Sequence, residues 1–300
     1  MSLRSVPHCV LLILLVLGLS VPAQAQISIT ASDLENAFSP GVNGQQILTV
    51  QAGETAKIQG VIDAIGEGGV YDFSTLEVTA SLSENEIQER PFDSTVPDDS
   101  DYSEAETVEV NDLFEGFTTY TFYRLENTSG GDPDGLYNYG DLTPGSFITT
   151  KTTYTPPLRI LPLPITASTM WESGDVELNT FTNGVLDSTV TASRSGEVIG
   201  YGDVVLPGGE QLPTLVHREV QIEGSSTTTA ISFLTKTQEG TVTVLTDGNG
   251  NVIEIPTGTG DTAPAAVVVL QSGDGATTTV AAGETGVFLG GLLGASIEVT

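Results

Sequence analysis

Short runs of alternating apolar and polar residues, broken by glycine, asparagine, aspartate and proline, cover most of the chain. Such alternation is typical of β-strands, because successive side chains of a strand point to opposite faces. In the clearest stretch, 171–255, the predicted strands are 175–182, 185–194, 197–206, 213–222, 227–236, 241–246 and 251–255. Short turns such as Asn183-Gly184 and Ser195-Gly196 separate them. We therefore predict an all-β fold built on a curved antiparallel meander, of half-barrel or barrel-like shape.

Helix signals are weak, and we predict one short N-terminal helix. The residues Ser32-Asp33-Leu34-Glu35 have the spacing of a capping box, and Leu34 and Phe38 would share one face of the helix. The acidic stretch 83–110 is predicted to be an exposed loop or a mobile flap. Before residue 171, β-branched and aromatic runs predict strands at 47–51, 56–62, 76–82, 117–125 and 146–155.

The first 25 residues predict a secretory signal peptide. Arg4 precedes the apolar run 10–19, and Ala23-Gln24-Ala25 supplies a cleavage site of small residues. Because the apolar run is too short to cross a bilayer, we expect cleavage after Ala25 and no transmembrane span in the mature chain. An exported protein is therefore predicted, located in the periplasm, at the outer membrane or outside the cell.

The remainder of the chain is predicted to contain a main β domain over 26–256, a linker over 257–264 and a small C-terminal β segment over 265–300. Glycine, threonine and proline dominate the linker, which is a composition typical of irregular structure. The C-terminal segment is too small to form a core of its own. We therefore expect it to pack on the main domain or to pair with a neighbouring chain.

The excess of acidic residues narrows the choice of partner. The chain has 39 Asp+Glu against 9 Lys+Arg, a formal net charge of −30. This charge excludes nucleic acid, since phosphate binding needs clustered cations, and it opposes docking on anionic lipid surfaces. The acids are spread over turns and loops and lysine is scarce, as in the proteins of halophilic microbes. We therefore predict that the stability of the protein rises with salt.

Few residues could carry catalytic chemistry. Loss of the signal peptide would remove Cys9, the only cysteine, and would leave His217 as the only histidine. A cysteine nucleophile or cysteine-ligated metal is thereby excluded, and no nucleophile-elbow, zincin or nucleotide-binding motif occurs. His217 shares a predicted strand face with Glu219, and we interpret it as a member of a cross-strand pair. Arg218 falls among aliphatic residues and should pair with a carboxylate or extend toward water.

Asp132, Asp134 and Asp141 are the candidate metal ligands. With Asn127 and Asn138 nearby, they could supply the roughly six to eight oxygen ligands that Ca²⁺ takes. Their spacing matches no specific calcium motif, and a solvated turn is the alternative interpretation. No cofactor other than Ca²⁺ is suggested.

Two segments resemble a group of uncharacterised secreted β-rich proteins of Gram-negative bacteria. The first, 200–209, ends in Leu206-Pro207-Gly208-Gly209, and the second is Leu215-Val216-His217-Arg218. In that group, a strand ending in an aliphatic residue, proline and glycine is followed by a strand with a Leu-to-Arg step, from which His217 is a small departure. The resemblance implies a curved β-sheet body and no known activity.

We expect a non-enzymatic protein of the envelope or the extracellular space, whose β body binds an envelope protein, a lipid or another apolar ligand. Trp171 and aliphatic side chains of the meander would line the binding site. Two alternatives stay open. One is a structural or adhesive surface protein with acidic loops that bind Ca²⁺, and the other is a hydrolase with a pair of carboxylates.

Overall fold

The structure is a computed structural model, and it describes residues 27–37, 40–94, 96–97, 100–114, 117–126, 134–236, 240–256 and 260–271. Strands dominate these residues, which confirms the predicted all-β fold. The predicted signal peptide and most of the C-terminal segment lie outside the described residues, so both stay predictions.

The described residues form two α-helices, α1 (Ala31–Ala37) and α2 (Thr55–Asp63), and one turn of 3₁₀ helix (Ser100–Tyr102). The strands are β1 (Gly41–Val50), β2 (Glu67–Asp72), β3 (Val78–Glu89), β4 (Thr107–Phe114), β5 (Phe117–Glu126), β6 (Gly135–Thr143), β7 (Thr150–Thr155), β8 (Leu158–Pro162), β9 (Met170–Glu172), β10 (Val176–Thr182), β11 (Val185–Val205), β12 (Gln211–Glu223), β13 (Ser226–Thr235), β14 (Thr241–Thr246), β15 (Glu254–Pro256), β16 (Thr262–Pro264) and β17 (Ala266–Gln271).

Helix α1 confirms the predicted N-terminal helix, with a different capping residue. The Asp33 carboxylate accepts hydrogen bonds from the N–H and the hydroxyl of Thr30 at 2.9 and 2.7 Å. In return, the Thr30 hydroxyl oxygen accepts the N–H of Asp33 at 3.4 Å. This is the reciprocal arrangement of a capping box, and it begins two residues before the predicted Ser32. Leu34 is buried as expected, whereas Phe38 lies outside the described residues.

The strand predicted at 56–62 is wrong, because this segment is helix α2. Ile58 and Ile62 are buried on one face of the helix, while Lys57 and Gly60 are exposed. Residues 58 and 62 would share a face in either element, but a strand would also place Gly60 on that face, and Gly60 is exposed, so the burial pattern fits a helix. The β-branched residues therefore pack an amphipathic helix against the sheet.

One sheet contains fifteen strands. Along it, the strands lie in the order β10, β7, β6, β5, β4, β3, β1, β17, β14, β13, β12, β11 and β2. Neighbours are antiparallel apart from β2, which runs parallel to β11. Strands β8 and β9 pair with β6 and β11, and strands β15 and β16 form a separate pair.

The large sheet curls until β10, at one end, reaches β11, which lies next to β2 at the other end. Strand β10 pairs with β7 along one edge and with β11 along the other. The two neighbours of β11 pair with different parts of this strand: β10 pairs with residues 185–192, and β12 pairs with residues 192–205. The result is a strongly curved, barrel-like sheet rather than a regular closed barrel, in agreement with the prediction. We call the space that this curvature encloses the interior.

Three clusters of buried apolar side chains stabilise the sheet. The first lies between α2 and the outer face of the sheet and includes Val216 of β12. The second fills part of the interior and includes Leu215, whose side chain points the opposite way. The third covers the outer face of β4, β5 and β6, where the rings of Tyr102 and Phe122 stack with their centroids 4.0 Å apart.

The segment 83–110, predicted as an exposed loop, is instead structured. It contains parts of β3 and β4, and Tyr102 between them is buried. The Tyr102 hydroxyl lies 2.8 Å from the backbone oxygens of both Asp141 and Thr152. Burial raises the pKa of this tyrosine. Most of the described acidic residues of this segment are exposed, among them Glu89, Asp101 and Glu104, whereas Glu109 is buried.

A single long strand, β11, replaces two predicted strands. Asn183-Gly184 forms the predicted hairpin turn before it, with φ of 50° and 79°. The predicted turn at Ser195-Gly196 is wrong, because both residues lie inside β11 and pair with Val220 and Glu219.

Strand β17 belongs to the main sheet, where it lies between β1 and β14. The first residues predicted for the C-terminal segment thus pair with the main domain. Residues 257–259 and 272–300 lie outside the described part of the chain, so the predicted linker and domain boundaries stay predictions. None of the described helices is both long enough and apolar enough to cross a membrane.

Candidate functional site

Strand β12 shows which side chains point into the interior. Leu215, His217, Glu219, Gln221 and Glu223 occupy alternate positions, and Leu215 belongs to the interior cluster. Leu215 and His217 are 0% and 2% exposed, whereas the last three residues are half-buried. The interior is therefore packed at one end of β12 and accessible to water toward the other.

The same gradient occurs on the neighbouring strands. On β7, Tyr154 is buried and Thr152 is half-buried; on β11, Arg194 is buried and Ser188 is exposed. Register and alternation place these side chains on the inner face, beside members of the interior cluster. Apolar groups therefore line the packed end of the interior, and hydroxyl, amide and carboxylate groups line the accessible end.

Arg194 lies between the packed and the accessible ends. Its side chain is 4% exposed, and its Nη1 donates a hydrogen bond to Oε1 of Glu219 at 3.0 Å. Its Nε has no hydrogen-bond partner among the residues that the structure describes. A buried guanidinium N–H that lacks an acceptor is unfavourable, because it has lost its hydration without replacement. This N–H is therefore a buried donor whose hydrogen-bonding capacity is unused among the described residues.

Asp141 of β6 lies within electrostatic range of Arg194. Its Oδ2 accepts a hydrogen bond from the Thr152 hydroxyl at 3.2 Å. Burial raises the pKa of Asp141 to about 6, against the lowering effect of hydrogen bonds from Thr121 and Thr152 and of the charge of Arg194. Burial also raises the pKa of Glu219, although Arg194 opposes this shift. Both carboxyls thus titrate closer to neutral pH than ordinary carboxyls do.

Two inward-facing tyrosines accompany these charged groups. Burial raises the pKa of Tyr123, and the nearby carboxylates of Glu109 and Asp141 raise it further. Burial, Asp141 and Glu223 together raise the pKa of Tyr154. Both phenols therefore keep their protons at neutral pH, so each can donate a hydrogen bond.

The interior contains more negative than positive charge. Asp141, Glu219 and Glu223 face it, and Arg194 is the inward-facing base of the described strands. The other described bases bond to groups other than these three carboxylates, and they are Lys57, Arg90, Arg124, Lys151, Arg159, Arg218 and Lys236. Near neutral pH, this imbalance favours a ligand that brings a positive charge.

His217 and Trp171 form a buried pair at the packed end of the interior. The Trp171 indole N–H donates to Nε2 of His217 at 3.0 Å, and burial lowers the pKa of His217 to about 4. Gly196 lies between them, where a Cβ atom would stand 2.7 Å from the indole nitrogen. The interpretation of His217 as a member of a pair between strands thus finds its partner in Trp171 of β9. Trp171 is only 6% exposed, so it does not line the accessible end of the interior.

The structure does not bring Asp134 and Asp141 together. They lie at opposite ends of β6, which separates them by roughly 20 Å at the rise of an extended strand. Asp132 lies outside the described residues, so the predicted calcium site that includes it stays a prediction. Among the described residues, no group of three or more His, Cys, Asp or Glu side chains is arranged to hold a metal ion.

Sequence reasoning placed His217 and Glu219 on one face correctly and predicted a carboxylate partner for Arg218, which is Glu197. It missed Arg194, Tyr123 and Tyr154. The available signal was an arginine at the end of a predicted strand, two residues after the small Ala192 on the same face. Basic side chains rarely point into the interior of a protein, so one that does indicates a candidate functional site.

The chain matches no protein-family model, and comparisons with curated proteins and with solved structures find no similar protein. The resemblance to secreted β-rich proteins of Gram-negative bacteria therefore stays a prediction.

The geometry supports binding chemistry most directly. The interior combines a cation with an unused donor, carboxylates with raised pKa values and phenols that can donate. Such groups recognise a small polar molecule through charge-assisted hydrogen bonds. The raised pKa of Asp141 also suits proton transfer, which requires a group that titrates near the working pH.

Proposed function

We propose that this is an exported, non-enzymatic binding protein that takes a small polar ligand into the interior of its curled sheet. The observation that carries the proposal is Arg194, a buried guanidinium whose Nε lacks a partner among the described residues. It stands where the half-buried polar lining meets the apolar cluster. Binding sites commonly combine an apolar wall with a few such polar groups.

A polar ligand suits this interior better than the apolar ligand expected from the sequence. Leu178 and Leu215 are both buried in the interior cluster, and the indole N–H of Trp171 is hydrogen-bonded to His217. The half-buried part presents Thr152 and Glu223 instead. An apolar molecule there would remove these polar groups from water without replacing their hydrogen bonds.

Export to the periplasm, the outer membrane or the extracellular space is part of the proposal and rests on the sequence of residues 1–25. It is tested by N-terminal sequencing of the protein recovered from the cell envelope and the culture medium. A mature chain that begins at Gln26 in either fraction is expected. Recovery of the protein only in the cytoplasm would contradict this part.

Thermal unfolding of the purified protein near neutral pH tests ligand binding. The probes are glucose, putrescine and γ-aminobutyrate, which represent polyols, diamines and zwitterions. We expect at least one probe to raise Tm by about 5–10 °C at roughly one hundred times its Kd. The shift should persist in Arg218→Met, an outward-facing control, and disappear in Asp141→Asn. Absence of any shift, or an equal shift in Asp141→Asn, would contradict an interior site for these ligands.

A hydrolase with a carboxylate pair is the second candidate, and the pKa of about 6 at Asp141 favours it. A carboxyl of this kind can act as a general acid beside a second carboxyl group, such as that of Glu223. Release of p-nitrophenol from a panel of aryl glycosides is the assay. Activity that Asp141→Asn abolishes and Arg218→Met retains would replace the binding proposal with a catalytic one.

A further inference from the structure

Two sets of side chains in the interior favour ligand groups of opposite charge. The first is Arg194, which favours an anionic group. Its side chain is 4% exposed and Nη1 is committed to Glu219, while Nε–H lacks an acceptor among the described residues. An anionic oxygen is the strongest acceptor for such a group, because the hydrogen bond is charge-assisted. Water would satisfy Nε less well than a carboxylate.

The second set consists of the carboxylates on the same surface. Asp141 and Glu223 interact with each other unfavourably, and Arg194 is shared with Glu219. The carboxylates of Asp141, Glu219 and Glu223 are half-buried, so repulsion between them is screened less than it would be on the surface. A cation between Asp141 and Glu223 would remove this repulsion.

We propose that the ligand is a small zwitterion, with a carboxylate that accepts the Nε–H of Arg194 and a primary ammonium that lies between Asp141 and Glu223. An anion alone would add to the negative charge of the interior. A cation alone would leave Nε of Arg194 without an acceptor. A molecule that carries both groups suits both sets of side chains, as amino acids and ω-amino acids do. This inference rests on the proposed function and names the class of ligand for the same site.

Titration calorimetry with whole and half ligands tests the inference on the purified protein near neutral pH. The whole ligands are glycine, β-alanine and γ-aminobutyrate, which separate ammonium and carboxylate by increasing distances. The half ligands are acetate and ethylamine. We expect one whole ligand to bind at least about tenfold more tightly than either half, the ratio that one added charge-assisted hydrogen bond produces.

Substitutions then locate each end of the zwitterion. Arg194→Lys keeps the positive charge but removes the guanidinium Nε–H, and Asp141→Asn removes one negative charge with little change of shape. Each should weaken binding of the preferred zwitterion at least about tenfold. Arg218→Lys makes the same change in an outward-facing arginine and should leave affinity unchanged. Near-ultraviolet circular dichroism confirms that every variant is folded.

The outcomes separate this inference from the proposed function. Binding of glucose or putrescine that depends on Asp141, without binding of any zwitterion, overturns the inference and leaves the proposed function standing. A zwitterion that binds no better than its halves also overturns the inference. If none of these compounds binds the folded protein, water satisfies Arg194 and both proposals fail.

Discussion

The indole N–H of Trp171 donates a hydrogen bond to Nε2 of His217 across 3.0 Å, and the planes of the two rings are inclined by only 9° to each other. Because Nε2 accepts this hydrogen bond, it carries no proton. The pair joins β9 to β12 over the bare backbone of Gly196 in β11. Because both rings are buried, the imidazole is held in its neutral form.

The neutral state of His217 predicts an acid-sensitive contribution to stability. In the unfolded chain, a histidine binds a proton below about pH 6.5, whereas burial lowers the pKa of His217 to about 4 in the folded protein. The stability contributed by neutral His217 is therefore complete above about pH 6.5 and is lost as the pH falls toward 4, by about 3 kcal/mol in total.

Urea unfolding of wild type and His217→Gln at a series of pH values measures this effect. Glutamine cannot titrate, but its oxygen can still accept the indole N–H. The difference in free energy of unfolding between the two proteins should shrink as the pH is lowered from about 6.5 to 4. A difference that is independent of pH would show that His217 is accessible to protons in the folded state.

Position 196 requires glycine, because the rings of Trp171 and His217 leave no room for a Cβ atom there. Its Cβ position is blocked by the indole of Trp171 at 2.7 Å and by the imidazole of His217. Gly196→Ala should therefore destabilise the protein by about 1–3 kcal/mol, the usual cost of overpacking a core. Gly248→Ala is the matched control, because that Cβ position has open space. Equal midpoints of urea unfolding for both variants would contradict this role of Gly196.

Asp141→Asn should stabilise the protein near neutral pH. Burial raises the pKa of Asp141 to about 6, from 3.8 for the free side chain. The folded state therefore keeps an unfavourable negative charge above pH 6, while asparagine avoids it and can still accept the Thr152 hydroxyl. The expected gain is up to about 3 kcal/mol near pH 7.

The sign of this effect is opposite to that of His217. Protonation of Asp141 relieves the unfavourable charge, so the advantage of Asp141→Asn should fade as the pH falls from about 6 to 4. Urea unfolding at these pH values measures it, and Thr152→Val serves as a control that removes the hydrogen bond and keeps the charge. An asparagine variant less stable than wild type at neutral pH would show that the charge is well solvated.

The stability of the protein should rise with salt, because the chain has a formal net charge of −30. At about 1 M NaCl the screening length falls to about 3 Å, so repulsion between surface carboxylates is nearly removed. Thermal melting in increasing NaCl near pH 7 should show a midpoint that increases by several degrees. The same series near the isoelectric point, pI ≈ 4.1, is the control and should show a smaller increase. A flat midpoint near pH 7 would remove the halophilic interpretation.

Local sequence patterns identified most strands and the Asn183-Gly184 turn, because alternation and turn residues are properties of adjacent positions. The predictions from local patterns were wrong where contacts between distant parts of the chain determine the structure. Gly196 looks like a turn residue in the sequence, but it is needed for the approach of Trp171 and His217 from two other strands. Likewise, Ile58 and Ile62 are residue types that favour strands, but their segment is helix α2. Both side chains pack from this helix onto the sheet, a contact that the local sequence does not show.

The candidate site was harder to predict than the fold. Period-two alternation shows that His217 and Glu219 share a face, but not which strands face them. Arg194 and Glu219 meet through the pairing of β11 with β12, and Asp141 reaches the same cluster only because the sheet curls. Strand order and curvature therefore had to be known before these residues could be recognised as one site.

Arg194 and Glu219 should be strongly coupled in stability. Arg194→Met leaves the half-buried Glu219 carboxylate without its cation, which should destabilise the protein by about 3–5 kcal/mol. The double substitution Arg194→Met with Glu219→Met removes both charges and should recover much of this loss. The outward-facing pair Arg218 and Glu197 provides the control cycle, with an expected coupling below about 1 kcal/mol. Unfolding free energies from urea give both cycles. Additive effects at Arg194 and Glu219 would mean that water, rather than the arginine, stabilises the carboxylate, and the accessible end of the interior would then extend deeper than Glu219.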